Sequence, residues 1–218
     1  MNEHDLRKLI GEVKSGRMSR RQFVRTMVGA GLTIGMAGHM LMHAGVANAQ
    51  QGWVYKPTKR GGGGLVKLLM WQGPTLLNPH FAVGTKDQYG CRVFYEPLAA
   101  WDGDGNLVPI LAAEAPSLQN GAVGRDGRSV TWKLKRGVTW HDGKPFTADD
   151  CVFNWQYAAD PATAAVTIGA YKDITVDKID SHTIRVNFAK PTPYWADAFV
   201  GTVGMMIPKH LFEAYRGS

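Results

Sequence analysis

The stretch GVTWHDGKPFTADDCVF, residues 137–153, sets His141 beside Asp142 and follows them with Asp149 and Asp150. A histidine and three carboxylates so close together are the side chains that general acid–base catalysis and divalent-metal binding draw on. The wider spacing supports neither use. Beyond residue 50 the other histidines fall at 80, 182 and 210, so no two imidazoles share a helical face at i,i+3 or i,i+4. There is no G-x-S-x-G turn to present a serine, and Cys91 and Cys151 lack a C-x-x-C neighbour or other local signature. The expectation is therefore no catalytic residue, no metal ligand and no cofactor.

Backbone chemistry accounts for the same residues. Asp142-Gly143 has turn composition and Pro145 fixes the exit. Thr147 is placed to cap a helix, with Asp149 and Asp150 in its first turn, where the positive end of the helix dipole stabilises acidic side chains. That helix carries Val152, Trp155, Gln156 and Ala159 along one face and stops at Asp160-Pro161. A second acidic group, Asp102, Asp104 and Asn106, imitates the start of a calcium loop. The imitation fails at the sixth and twelfth positions, where Leu107 and Ala113 replace the required Gly and Glu. A two-glycine turn between short strands fits better.

Other elements must position these turns. LVKLLMW, residues 65–71, is nearly continuous in apolar character and reads as a strand buried on both faces of a sheet. Thr85 and Gln88 stand at capping-box spacing, which predicts a helix over 86–96 ended by Pro97. After Asp126-Gly127, Val130, Trp132 and Leu134 alternate with Thr131, Lys133 and Lys135, the pattern of a half-buried strand in an antiparallel hairpin. Two strands about Asp180-Ser181-His182 follow, with Ile184, Val186 and Phe188 on one face. A short helix in PTPYWADAF, a strand-like run to Ile207 and a helix from Pro208 complete a mixed α/β pattern. Cys91 and Cys151 both fall within expected helices; two buried thiols and a disulfide both remain open.

The formal net charge is +7, of which residues 1–49 contribute +4. The remainder is nearly balanced, and no Arg-rich helix or aromatic-basic alternation marks a nucleic-acid partner. The excess arises around SRRQFVR, where Arg20 and Arg21 are adjacent. Behind it runs TMVGAGLTIGMAGHMLMHAGVANA, without Asp, Glu, Lys or Arg and ending in Ala47-x-Ala49. A basic stretch, an apolar stretch and small residues make an export signal cleaved after Ala49, and the paired arginines resemble the signal read by the Tat translocase. An uncleaved anchor is the alternative, because the run approaches the ~20 residues that span a bilayer. Residues 50–64, closing on four glycines, read as a flexible leader.

YEPLAAWDGDGNLVPILAAEAP, SVTWKLKRGVTWHDGKPFTADDCVFNW, PTPYWADAF and MMIPKHLFE resemble, in that order, the N-terminal part of the extracytoplasmic solute-binding proteins of family 5. These are the peptide-, opine-, glycoside- and nickel-binding components of ABC importers. The resemblance covers residues 65–216, with Cys151 where valine is common and Pro116-Ser117 in place of the usual aromatic. It implies a periplasmic binding protein type II fold, two-lobed in the full-length family and here the first lobe with its peripheral subdomain. It also implies a periplasmic receptor that takes a small-molecule or oligopeptide solute in a cleft and presents it to an ABC transporter permease in the inner membrane. Residues 137–150 would then be a fold signature rather than a ligand site. A Tat-exported enzyme carrying a cofactor is the alternative function.

The domain order expected is a signal over 1–49, a leader over 50–64 and the N-terminal part of the family domain over 65–218. Trp71, Gln72 and Asn78, in the loop after the first strand, are the candidate solute contacts, with Trp71 equally suited to filling the lobe core. Trp195 in PTPYW is a weaker candidate, for which core packing is the favoured reading. Because family chains continue well past the helix begun at Pro208, the sequence is expected to be a fragment or a truncated product. It should retain an open sheet edge and bind no solute alone.

Overall fold

The computed structural model describes residues 3–44 and 63–217. The cleavage motif at Ala47 and Ala49, and all of the leader except Gly63 and Gly64, lie outside the described residues. The leading segment forms three helices, α1 (Glu3–Lys14), α2 (Arg20–Gly29) and α3 (Ile34–His43). Ser19 caps α2. Its hydroxyl accepts the Gln22 N–H at 3.1 Å, and the Gln22 side chain accepts the Ser19 N–H at 3.0 Å, so two otherwise orphaned donors are satisfied reciprocally. Phe23, Val24 and Met27 then meet Val13 of α1 and Ala37 and Leu41 of α3 in a small core. Among the described residues no helix is long and apolar enough to cross a membrane.

Residues 65–71 form no strand. Leu65, Val66, Leu68 and Leu69 are exposed, contrary to the expected two-sided burial. Continuous apolar character needs a sheet on either side to become a buried strand, and no strand among the described residues lies beside this segment. The next helix, α4 (Thr85–Cys91), is also shorter than expected. Gly84, at φ +84°, supplies its N-cap without any side-chain bond, so Thr85 lies inside the helix and makes no capping box. Turns from Val93 to Gly90 and from Phe94 to Cys91 end it before Pro97 is reached.

The hairpin of β1 (Ala99–Trp101) and β2 (Leu107–Pro109) follows, with Trp101 opposite Leu107. Its turn is held by Asp102, whose Oδ1 accepts the N–H groups of Asp104 and Asn106 at 2.9 and 2.8 Å. This is the Asx-type closure that its turn composition anticipates. The main sheet holds β3 (Ser129–Lys133), β4 (Ile174–Asp180) and β5 (Thr183–Phe188) in the antiparallel order β3-β5-β4. Val130 and Trp132 are buried opposite Val186 and Ile184, as the alternation requires. The full partner of β3 is the distant β5, whereas the neighbouring chain contributes the single bridge of Val123 to Val130.

Helix α5 (Ala148–Ala159) packs against β4, β5 and the one-turn helix α6 (Ile168–Tyr171). Its deepest positions are Cys151, Asn154, Tyr157 and Ala158, while Val152, Trp155, Gln156 and Ala159 are half-buried. The helix is covered on most sides, so an apolar stripe did not identify its inner face. PTPYWADAF contains no helix and the run to Ile207 no strand. Met205 instead makes one bridge to Pro97, and α7 (Lys209–Phe212) starts after Pro208. Cys91 and Cys151 are both buried, unpaired thiols.

Candidate functional site

The stretch 137–150 folds as expected and acts as a clamp. Thr147 Oγ1 accepts the Asp149 N–H at 3.2 Å, and Asp150 Oδ2 accepts the Thr147 N–H at 2.9 Å. Asp150 Oδ1 reaches forward to the Lys209 N–H at 3.0 Å, and Asp142 Oδ2 meets His210 Nε2 at 2.6 Å. Two carboxylates from the motif thereby hold the first residues of α7. The amide of Lys144 and the imidazole of His210 together keep the Asp142 carboxyl below its usual range. His141 is exposed beside a cleft of about 240 Å³ lined also by Arg92, Phe94 and Trp140. Among the described residues no three His, Cys, Asp or Glu side chains gather as a metal site.

The candidate solute loop begins at Trp71, which is 75% exposed, with Gln72 exposed beside it. Four residues of α4 anchor the following chain. Asp87 Oδ1 accepts the N–H groups of Thr75 at 2.7 Å and Leu76 at 3.2 Å. Lys86 Nζ bonds both Asp87, at 2.7 Å, and Thr75 Oγ1, at 2.6 Å. The Lys86 ammonium and the Thr75 amide hold the Asp87 carboxyl down to about 2. Gly90 permits the close approach, because a Cβ there would stand 2.7 Å from the Pro74 Cβ. Cys91 adds a weak Sγ contact to the Leu76 carbonyl at 3.8 Å.

Asn78 does not share the solvent front of Trp71 and Gln72. Half-buried, it donates to Tyr157 Oη at 3.2 Å and accepts the His80 N–H at 2.9 Å. It therefore ends the loop by tying it to α5. Trp195 lies still further away in kind: it is 5% exposed and packs on Trp132 with ring centroids 6.2 Å apart. Burial gives it the core role that was its favoured reading. The structure thus presents Trp71 and Gln72 together, roots Asn78 behind them and places Trp195 elsewhere.

A buried polar network behind the loop was not legible in the sequence. His80 Nδ1 meets Thr167 Oγ1 at 2.7 Å and its Nε2 meets Asn154 Oδ1 at 2.9 Å. Asn154 Oδ1 also accepts the Ile207 N–H, and its amide donates to Tyr171 Oη. Tyr171 in turn donates to the Val203 carbonyl and accepts the Phe199 N–H. Burial brings the His80 imidazole down to about 4 and pushes the Tyr171 phenol up. With His80 neutral, Nε2 carries the proton to Asn154 and Nδ1 accepts from Thr167, so every member is satisfied. A closed, neutral network holds loop, helix and C-terminal segment together.

The antiparallel sheet β3-β5-β4 and the helix α5 that covers it form an α/β lobe, with the candidate loop at 71–78 at its surface. Residues 106–216 match the bacterial extracellular solute-binding proteins, family 5 (middle), and the chain belongs to that family. It is similar to the periplasmic oligopeptide-binding protein OppA of Escherichia coli, 29% identical over 64% of this chain and 28% of the relative. It is also similar to the glutathione-binding protein GsiB of Shigella boydii, 29% identical over 65% of this chain and 27% of the relative. Among solved structures it resembles the Escherichia coli murein tripeptide-binding protein MppA, with TM-score 0.58, 25% identity and 66% of this chain against 31% of that one. OppA of Haemophilus influenzae in complex with RPPGFSPFR gives TM-score 0.57 at 25% identity, over 65% and 30% of the two chains. The fold is that of the type II periplasmic binding proteins, of which this chain forms part of one lobe. It spans 28% of the length of the OppA it matches.

Proposed function

We propose that the chain contributes the first-lobe part of a periplasmic receptor that passes a peptide-like solute to an ABC importer permease, after export by the Tat translocase from the paired Arg20 and Arg21. Membership of the solute-binding family supports the receptor role, and the peptide- and glutathione-binding relatives support the solute class. The observation that carries the reading at the site is the anchored arm at 71–78. Trp71 and Gln72 stand free in solvent while Asp87, Gly90 and Tyr157 fix the chain behind them. An exposed indole face and a side-chain amide suit a peptide backbone, the indole by stacking and the amide by pairing with N–H or C=O groups. Asn78 acts in this reading by positioning the arm.

The test places residues 65–216 in the corresponding part of the Escherichia coli oligopeptide-binding protein and measures binding by calorimetry. Mixed short peptides, glycosides and nickel are offered to the chimera and to the chain alone. Saturable peptide binding by the chimera, weakened about tenfold or more by Trp71→Ala, is expected from loss of one stacking contact. Peptide hydrolysis, or a folded chimera indifferent to all peptides, would overturn it.

A further inference from the structure

We propose that the β1–β2 hairpin is a docking surface for this chain's own leading segment, and that docking withholds Arg20 from recognition of the arginine pair. The Arg20 guanidinium donates to the Gly105 carbonyl at 3.2 Å, across 85 residues of sequence. Asp102 and Asp104, on the same turn, act on that guanidinium in the direction that keeps it charged, against the effect of its partial burial. The contact is also steric. A Cβ at Gly105 would lie 3.3 Å from Val24 Cγ2, and one at Gly38 would lie 3.4 Å from both the Trp101 ring and the Gly105 carbonyl. Two helices, α2 and α3, therefore rest on one hairpin.

Helical geometry explains why the two arginines differ. Arg20 and Val24 stand at i and i+4 and face the hairpin together, while Arg21 is turned by about 100° on the helix. Arg20 is half-buried, and Arg21 and Arg25 are exposed. A receptor that needs both arginines at once meets an accessible Arg21 and an occupied Arg20. The segment must lift off first, and the apparent affinity is the intrinsic affinity multiplied by the fraction of time it is lifted.

Docking itself is independent of the export reading, whereas its consequence rests on the twin-arginine signal. The test labels the intact chain with phenylglyoxal, a reagent selective for arginine, and follows Arg20 and Arg21 by mass spectrometry, normalised to the urea-unfolded chain. Arg20 should react about tenfold more slowly than Arg21 at low salt. The difference should disappear in Asp102→Asn/Asp104→Asn and, separately, in Gly38→Leu, which alters the leader and leaves the hairpin intact. Equal rates in the parent chain, or protection persisting in both variants, would overturn the docking. In cells, Gly38→Leu should speed appearance of the exported product. Lost protection with unchanged export overturns the withholding, while export of Arg20→Lys/Arg21→Lys at the normal rate overturns the twin-arginine reading instead.

Discussion

Asp150 Oδ1 accepts the backbone N–H of Lys209 at 3.0 Å while its other oxygen closes the capping box on Thr147. One buried carboxylate joins the start of α5 to the start of α7, 59 residues apart. Asp150→Ala leaves two backbone donors without their acceptor, and should cost about 2–3 kcal/mol in chemical denaturation. Thr147→Ala should cost about 1 kcal/mol. Exposed His141 should tolerate alanine within about 0.5 kcal/mol.

Asn154→Leu tests the network behind the loop. The substitution keeps volume and removes the acceptor shared by His80 and the Ile207 amide, together with a donor to Tyr171. Several orphaned buried groups should lower stability by about 3 kcal/mol, seen as a reduced melting temperature. Loss below about 1 kcal/mol would show that water replaces the amide.

Acid should loosen the loop through Asp87. Its folded pKa is depressed to about 2 from an ordinary value near 3.8, so its contribution is present above the unfolded value and is lost as pH falls from about 4 through 2. The Thr75 amide resonance should titrate with a midpoint of about 2 in NMR spectra. The titration should vanish in Asp87→Asn.

Gly90→Ala should push the loop from α4. The added Cβ falls 2.7 Å from the Pro74 Cβ and 3.0 Å from its Cγ. A cost of about 1–3 kcal/mol is expected from overpacking. In the chimera described above, peptide affinity should fall with it, because Trp71 and Gln72 lie on the displaced arm.

Replacing Arg20 and Arg21 together by lysine should retain the precursor in the cytoplasm. Cell fractionation with an antibody to the domain gives the measurement, and a product starting at Gln50 in the periplasm would contradict the proposed twin-arginine signal.

The sequence by itself determined the features whose causes lie within a few residues. The Thr147 cap, the turn at Asp102 and the β4–β5 hairpin about Ser181 follow from local hydrogen bonds and a two-residue alternation. Local pattern misled at LVKLLMW, because an apolar run becomes a strand only when a neighbour takes its backbone groups. It was silent on His80, whose partners Asn154 and Thr167 stand 74 and 87 residues away. For Trp195 it favoured the core, and burial at 5% exposure agrees. Only the tertiary structure decided these, since burial and long-range pairing belong to the packing of distant segments and no short window of sequence contains both partners.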